Sequence, residues 1–435
     1  MSLVRMALTN YRCFAKRLDV ELRPITVVLG RNNSGKSALV RAPVVFTTGL
    51  RTDSPAPLDL DMLGEEILDS FTDLIYSGQP HGSIRIELEF DEEGERSTLL
   101  NPHPKLLDAT VQHIAEYRLQ IVSSLFMRVG DRTAHLEWEH DDPQKDKPLY
   151  TITADGETYP HTPVRFAGLL PNVIDWESDD HQPNWSMYKV LNRDIRYSFG
   201  QVRYLGPFRD RPMRRYRLPS RMPAQVGMTG QNSALILASD FARQKGELIR
   251  EVNKSFTQNL PGWRIDVVEL GDMYTVVLKS DDDKLEVNLA DTGTGVAQAL
   301  PIFVQRAIDI LHPPSGCVLE IVEQPELHLH PAAHAALAEL YLQAARQTDV
   351  RFLIETHSET FLLRIRRRIA EGVVDPETVA IYFVENDKGA ASAHRIRLDE
   401  DGNVDYWPED VFSEDYIETK ALASAQLDRR AHDAR

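Results

Sequence analysis

The run Gly30-Arg31-Asn32-Asn33-Ser34-Gly35-Lys36-Ser37 fits the phosphate-binding pattern G-x-x-x-x-G-K-[ST] at every defined position. It constrains the chain more than any other feature, because such a loop works only between a strand and a helix. Both neighbours are present: residues 25–29 form an apolar, β-branched run, and Ala38-Leu39-Val40 can begin a helix. Glycines let the backbone curl around a phosphate without Cβ atoms in the way, so that N–H groups and the helix N-terminus face the anion. Gly30, Asn32, Asn33, Ser34 and Gly35 are the expected cradle. Lys36 is expected to reach the β- and γ-phosphates, and the Ser37 hydroxyl to bind Mg²⁺.

The chain has 435 residues, enough for two or three domains or for one large domain with an inserted lobe. Its formal charge of -17 excludes a surface that is basic all over, so any nucleic-acid contact must come from a local patch. The dense basic stretch is Arg203, Arg209, Arg211, Arg214, Arg215, Arg217 and Arg221, interleaved with Tyr204, Phe208 and Tyr216. Arginine among aromatics suits phosphate backbones, which makes Arg209, Arg211, Arg214, Arg215 and Arg217 the nucleic-acid candidates. An arginine-rich loop answering the acidic surface of a partner subunit, or of the chain itself, fits the same pattern equally. Cys13 and Cys317 both fall in runs that read as core strands, so no disulfide framework is expected. No apolar leader and no run of roughly eighteen apolar residues appears, and the expectation is a cytoplasmic protein without a membrane span.

Short strands at 3–8 and 18–22 precede the phosphate loop. From there to residue 200 the periods are those of strands: 83–90 alternates strictly, with Ile84, Ile86, Leu88 and Phe90 on one face, and 117–129, 134–139 and 149–153 follow. Residues 141–148 and 177–183 read as polar loops, and Gln79 as a turn glutamine. A helix is expected at 233–259 and strands at 263–268, 274–278 and 285–289. Gly293, Thr294 and Gly295 then place bare N–H groups at the start of an apolar helix, a second anion-binding arrangement. An apolar strand at 317–322 ends in Glu323-Gln324-Pro325-Glu326-Leu327-His328-Leu329-His330-Pro331, and a second strand ends in Glu355-Thr356-His357-Ser358. The His328 and His330 pair beside a glutamate lacks a third ligand for a metal site. A helix at 361–371, a strand at 378–384, a hairpin closing at Asp401-Gly402 and a frayed helix from Ala421 complete the chain.

The order of phosphate loop, glycine-rich helix start, acidic strand end and strand-end histidine resembles that of the ABC ATPases. The opening around Thr9 to Phe14 resembles ATPase heads of the RecF and SMC type. The E-Q-P-E-L-H-L-H-P and E-T-H-S-E runs resemble the bacterial AAA-family ATPases related to the OLD (overcoming lysogenization defect) proteins. Trp407 to Phe412 and the tail resemble a C-terminal domain of unknown function fused to these ATPases, and no Toprim nuclease cluster is recognisable. The resemblance implies an α/β ABC-type P-loop ATPase head, a mixed sheet with flanking helices, carrying an inserted strand-rich and helical lobe. Its parts would be the N-terminal half of the head at 1–50, the lobe at 51–200, the C-terminal half at 201–385 and a hairpin and tail at 386–435.

By the same resemblance the ligands are ATP and Mg²⁺. Arg12 approaches the nucleotide phosphates, Glu323 is the acid that holds Mg²⁺ through water, and His357 is the switch histidine at the γ-phosphate. Gly293 to Gly295 form the signature loop that closes on the nucleotide of an opposite subunit, and the segment around His328 and His330 touches that subunit. A homodimer or higher even oligomer follows. Gln324 stands where ABC ATPases carry the glutamate that polarises the attacking water, and an amide cannot accept that proton. Either Glu326 substitutes, or hydrolysis is slow and the ATP-bound dimer long-lived. The implied function is an ATPase that couples dimer closure to DNA or other nucleic acid, or to an effector such as a nuclease, in anti-phage defence or DNA repair. A RecF-like loading protein and a nearly inactive ATP-dependent scaffold are the alternatives.

Overall fold

The computed structural model describes residues 2–64, 67–68, 70–91, 105–175, 189, 192–193, 195–196, 201–259, 261–408 and 414–433. The expected loop at 177–183 and the residues from Glu409 to Phe412 lie outside these.

The chain opens with β1 (Ser2–Thr9), β2 (Leu18–Glu21) and β3 (Ile25–Gly30), followed by α1 (Lys36–Leu50). Cys13 lies in the turn between β1 and β2, not in a strand, because Tyr11 and Phe14 close that turn on each other's backbone. Seven strands come next: β4 (Ser83–Asp91), β5 (Lys105–Ile114), β6 (Leu119–Val129), β7 (Arg132–Trp138), β8 (Leu149–Ala154), β9 (Glu157–Ala167) and β10 (Leu170–Ile174). They extend the sheet that β1 and β2 begin, in the order β10-β9-β8-β7-β6-β5-β4-β1-β2. Period-2 burial explains it: Ile84, Ile86, Leu88 and Phe90 of β4, and Leu107, Ala109 and Val111 of β5, all enter one core. Sequence periodicity missed β5, β9 and β10. In β9 the prolines at 160 and 163 hide the pattern, and the pairing with β8 shifts register there, as a missing N–H donor requires.

The second sheet holds β11 (Gln201–Leu205), and after it the chain forms α2 (Ser233–Gln244) and α3 (Glu247–Asn259). The single helix expected at 233–259 is thus two, because Lys245 and Gly246 adopt left-handed φ of 57° and 72° and the Asp240 carboxylate accepts from Ile249 N–H at 3.0 Å. A three-stranded antiparallel sheet of β12 (Trp263–Leu270), β13 (Met273–Ser280) and β14 (Glu286–Asn288) follows. Then come α4 (Thr294–Leu311), β15 (Val318–Glu323), α5 (Pro331–Gln347), β16 (Val350–Glu355), α6 (Glu359–Ala370), β17 (Val379–Asp387), β18 (Ala390–Ile396) and α7 (Glu414–Asp433). Between the last two, the expected hairpin closes at Gly402, where Leu398 bridges Val404.

The six-stranded sheet runs β11-β15-β16-β3-β17-β18 and is parallel except for the last pair. Its central strands are apolar on both faces, as a sheet covered on both sides must be. Val28, Leu353 and Ile321 face α1 and the nine-stranded sheet, while Val27, Ile354 and Val322 face α2 to α6. The phosphate loop, Glu323 and Glu355 therefore emerge at one edge, where ligands bind in open parallel sheets.

Beneath that edge lies a buried ion network. Arg306 of α4 reaches Asp309 at 2.9 Å and Glu320 of β15, and Arg203 of β11 reaches Asp309 at 2.6 Å. Arg306 also stacks 4.7 Å above the Phe352 ring. Removing one member of such a network leaves buried charge uncompensated. Arg306→Met is expected to cost about 3–5 kcal/mol of unfolding free energy in urea titration, since two carboxylates would then share one arginine. A loss below about 1 kcal/mol would show the network to be replaceable by packing alone.

Candidate nucleotide site

The phosphate loop takes the backbone shape that its glycines allow. Gly30 has φ of 153°, and a Cβ there would come within 2.2 Å of the Val384 carbonyl oxygen. Gly35 has φ of 106°, and its Cβ would meet Cys13 Sγ at 2.5 Å. No other residue fits at either position. Asn33 is itself left-handed at φ 61°, while Arg31, Asn32 and Asn33 lie exposed along the rim. Ser34 is buried with its hydroxyl oxygen unpartnered, an orphan that a phosphate oxygen would satisfy. Lys36 is buried and donates to the Arg31 carbonyl at 2.7 Å. Burial lowers its pKa, and Glu355 works against that. Arg12 sits in the turn packed on Gly35, but its guanidinium donates to the Ile67 carbonyl at 2.8 Å and not to the loop.

Two carboxylates end adjacent strands. Glu323 and Glu355 are direct register partners across β15 and β16, and Glu355 is also the partner of Val28 in β3. Glu323 is gripped by the Arg41 guanidinium of α1 through both oxygens, at 2.5 and 2.7 Å, and accepts from the Tyr204 hydroxyl at 2.9 Å. Glu355 accepts from the Ser37 hydroxyl at 2.8 Å. Burial and the neighbouring Glu323 raise its pKa, while Ser37 and Lys36 oppose the rise. A hydroxyl and a carboxylate are the hard oxygen donors that Mg²⁺ takes, so the residues present fit that ion. When bound, it would screen the phosphate charge.

Gln324 turns sharply out of β15 at φ 44°, and its N–H donates to the Glu355 carbonyl at 2.7 Å. Glu326 is buried, and one of its oxygens accepts the His357 backbone N–H at 2.6 Å while the other has no partner. The carboxylate thus fixes the segment that carries His357. Burial raises its pKa. The His357 ring remains open to solvent at the rim, yet the surrounding protein and Lys36 lower its pKa to about 4, so it is neutral near pH 7. His334 of α5 meets Ser358 at 2.8 Å, tying the two strand-end segments together. His328 is left-handed at φ 66°, and His330 caps α5 by accepting from Ala332 N–H at 3.2 Å. A Cβ on Gly295 would come within 2.6 Å of the His328 carbonyl oxygen, so the start of α4 rests on this segment. Gly293 and Thr294 remain exposed. Among the described residues no cluster of three or more His, Cys, Asp or Glu could hold a metal by itself.

The family described as AAA domain, putative AbiEii toxin, Type IV TA system, matches residues 25–364. The chain belongs to this family. A second family, described as a protein of unknown function (DUF3696), matches residues 374–422. No curated protein matches. Among solved structures, an Smc head bound to the C-winged helix domain of ScpA is 12% identical, covers 92% of this chain and 99% of its own, and has a TM-score of 0.51. The SMC head domain from Thermotoga maritima is 13% identical over 92% of this chain and 100% of its own, with a TM-score of 0.43. An Smc head from Pyrococcus furiosus, with an extended coiled coil and bound to the C-terminal domain of ScpA, is 10% identical over 91% and 96%, with a TM-score of 0.48. The fold is that of an SMC head, and the matched family places an AAA domain over most of the chain.

In this chain the basic stretch is not one patch. Arg209 is buried, and its guanidinium donates to the carbonyls of Gln298 at 3.2 Å and Glu323 at 3.1 Å, so it braces the acidic strand end and is withdrawn from any nucleic acid. Arg214 forks onto Asp291, two residues before Gly293, at 2.6 and 2.8 Å, and Arg217 meets Asp272 at 2.5 Å. Arg211, Arg215 and Arg221 are exposed. Sequence reasoning overlooked Arg41, Tyr204 and Glu355. For Glu355 the signal was available, since it ends an apolar strand two residues before the histidine. Arg41 carried none.

Proposed function

We propose that the protein is an ATP-driven switch in which ATP and Mg²⁺ at Gly30 to Ser37 bring two copies together, with Gly293 to Gly295 of each closing on the nucleotide of the other. The observation that carries this reading is the convergence on Lys36 and Ser37 of two side chains from the end of β16, Glu355 and His357, while Gly293 and Thr294 stay exposed at the start of α4. Gln324 cannot take a proton from water, and Glu326 is buried with one oxygen held by the His357 N–H, so hydrolysis is slow and the closed state persists. The output is coupling to a nuclease or other effector, or to nucleic acid, in anti-phage defence or DNA repair. The ion pairs of Arg214 and Arg217 favour a protein-facing role for that loop over a phosphate-facing one.

Measuring mass in solution against nucleotide state tests the switch. A shift from monomer to dimer on adding Mg²⁺ with a non-hydrolysable ATP analogue is expected, and Gly293→Glu should abolish it by placing a carboxylate against the γ-phosphate. A monomer under saturating analogue would rule out the shared site.

A further inference from the structure

We propose that Glu355, not Glu323, is the carboxylate that serves the nucleotide's divalent cation together with Ser37. The inference rests on the nucleotide site proposed above and assigns it a residue that the motif order does not. Three features of the fold single out Glu355. First, β16 lies between β3 and β15, so its last residue is the carboxylate nearest in register to the strand that carries the phosphate loop. Second, Glu355 is the acceptor of the Ser37 hydroxyl at 2.8 Å, the hydroxyl that a phosphate-loop site gives to the cation. A cation binding there would take a lone pair of the Ser37 oxygen, whose proton stays on the hydroxyl and turns aside, and would leave both oxygens in place. Third, Glu323 is already neutralised. Both of its oxygens belong to the Arg41 fork, Tyr204 donates to one of them, and Arg41 itself stacks 5.9 Å from the Tyr204 ring.

A forked arginine is among the most costly partners to displace from a carboxylate, because two parallel charge-assisted bonds would be lost at once. Glu355 has weaker holds: a serine hydroxyl, with the charge of Lys36 nearby. Gln324 then gains a purpose. A glutamate in its place would set a third carboxylate beside Glu323 and Glu355, whereas an amide adds no charge there.

Nucleotide affinity measured by calorimetry in Mg²⁺ and again in EDTA tests the assignment, with thermal melting as the check on folding. The expected result is a magnesium-dependent gain in the wild type that shrinks by about tenfold or more in Glu355→Gln, and by less than about threefold in Glu323→Gln, with affinity in EDTA kept in both. Should Glu355→Gln fail to fold, Glu355→Asp decides, since it keeps the charge but withdraws it by one methylene. A reduced gain there supports the proposal and a wild-type gain overturns it. Loss of the gain in Glu323→Gln alone would return the role to Glu323. A wild type that binds nucleotide equally in Mg²⁺ and EDTA would refute the cation role alone, whereas one that binds no nucleotide in either would remove the site itself.

Discussion

Lys36→Ala is expected to lower ATP affinity by about a hundredfold or more. The ammonium is the buried cation of the loop, and it would make charge-assisted contacts to the β- and γ-phosphates of about 1.5–3 kcal/mol each. Two such contacts exceed the roughly 2.7 kcal/mol that separates affinities a hundredfold apart. The substitution should leave the fold intact, because the partner that Lys36 loses in the free protein is the carbonyl of exposed Arg31, which water can reach. Equilibrium titration with a fluorescent ATP analogue, alongside an unchanged melting curve, checks both halves. Wild-type affinity in a folded Lys36→Ala protein would mean that the nucleotide does not sit at this loop.

The second large effect separates two roles for Glu326. If it positions the switch segment, Glu326→Gln should hydrolyse ATP within about threefold of the wild type, because the amide oxygen can still accept the His357 N–H. Glu326→Ala removes that acceptor and frees the segment. Displacing a group at the γ-phosphate by about 1 Å is enough to lower the rate roughly a hundredfold. If Glu326 is instead the general base, the glutamine variant should itself fall by about two to four orders of magnitude. Single-turnover hydrolysis of both variants decides between them. The structure favours positioning, since one carboxylate oxygen is committed at 2.6 Å and the other is enclosed without a partner. A collapse of the Gln variant alone would reverse that assignment.

How much of this site was legible before the fold was known depends on how local each part is. The phosphate loop is a local device, in which glycines at 30 and 35 set the backbone and the flanking strand and helix follow directly from the apolar pattern. The same holds for the strands ending at Glu323 and Glu355 and for the helix beginning at Thr294. The family, the fold class and the strand and helix ends that flank the loop were therefore present in the sequence alone. What each polar side chain does there was not. The Arg41 fork joins residues 282 positions apart, and the Ser37 contact with Glu355 spans 318. Arg209 read as a surface cation until the fold enclosed it against three backbone carbonyls. Partners of that kind are chosen by strand order and register, which depend on burying two faces of one sheet at once, and no local pattern encodes which carboxylate will then face the loop.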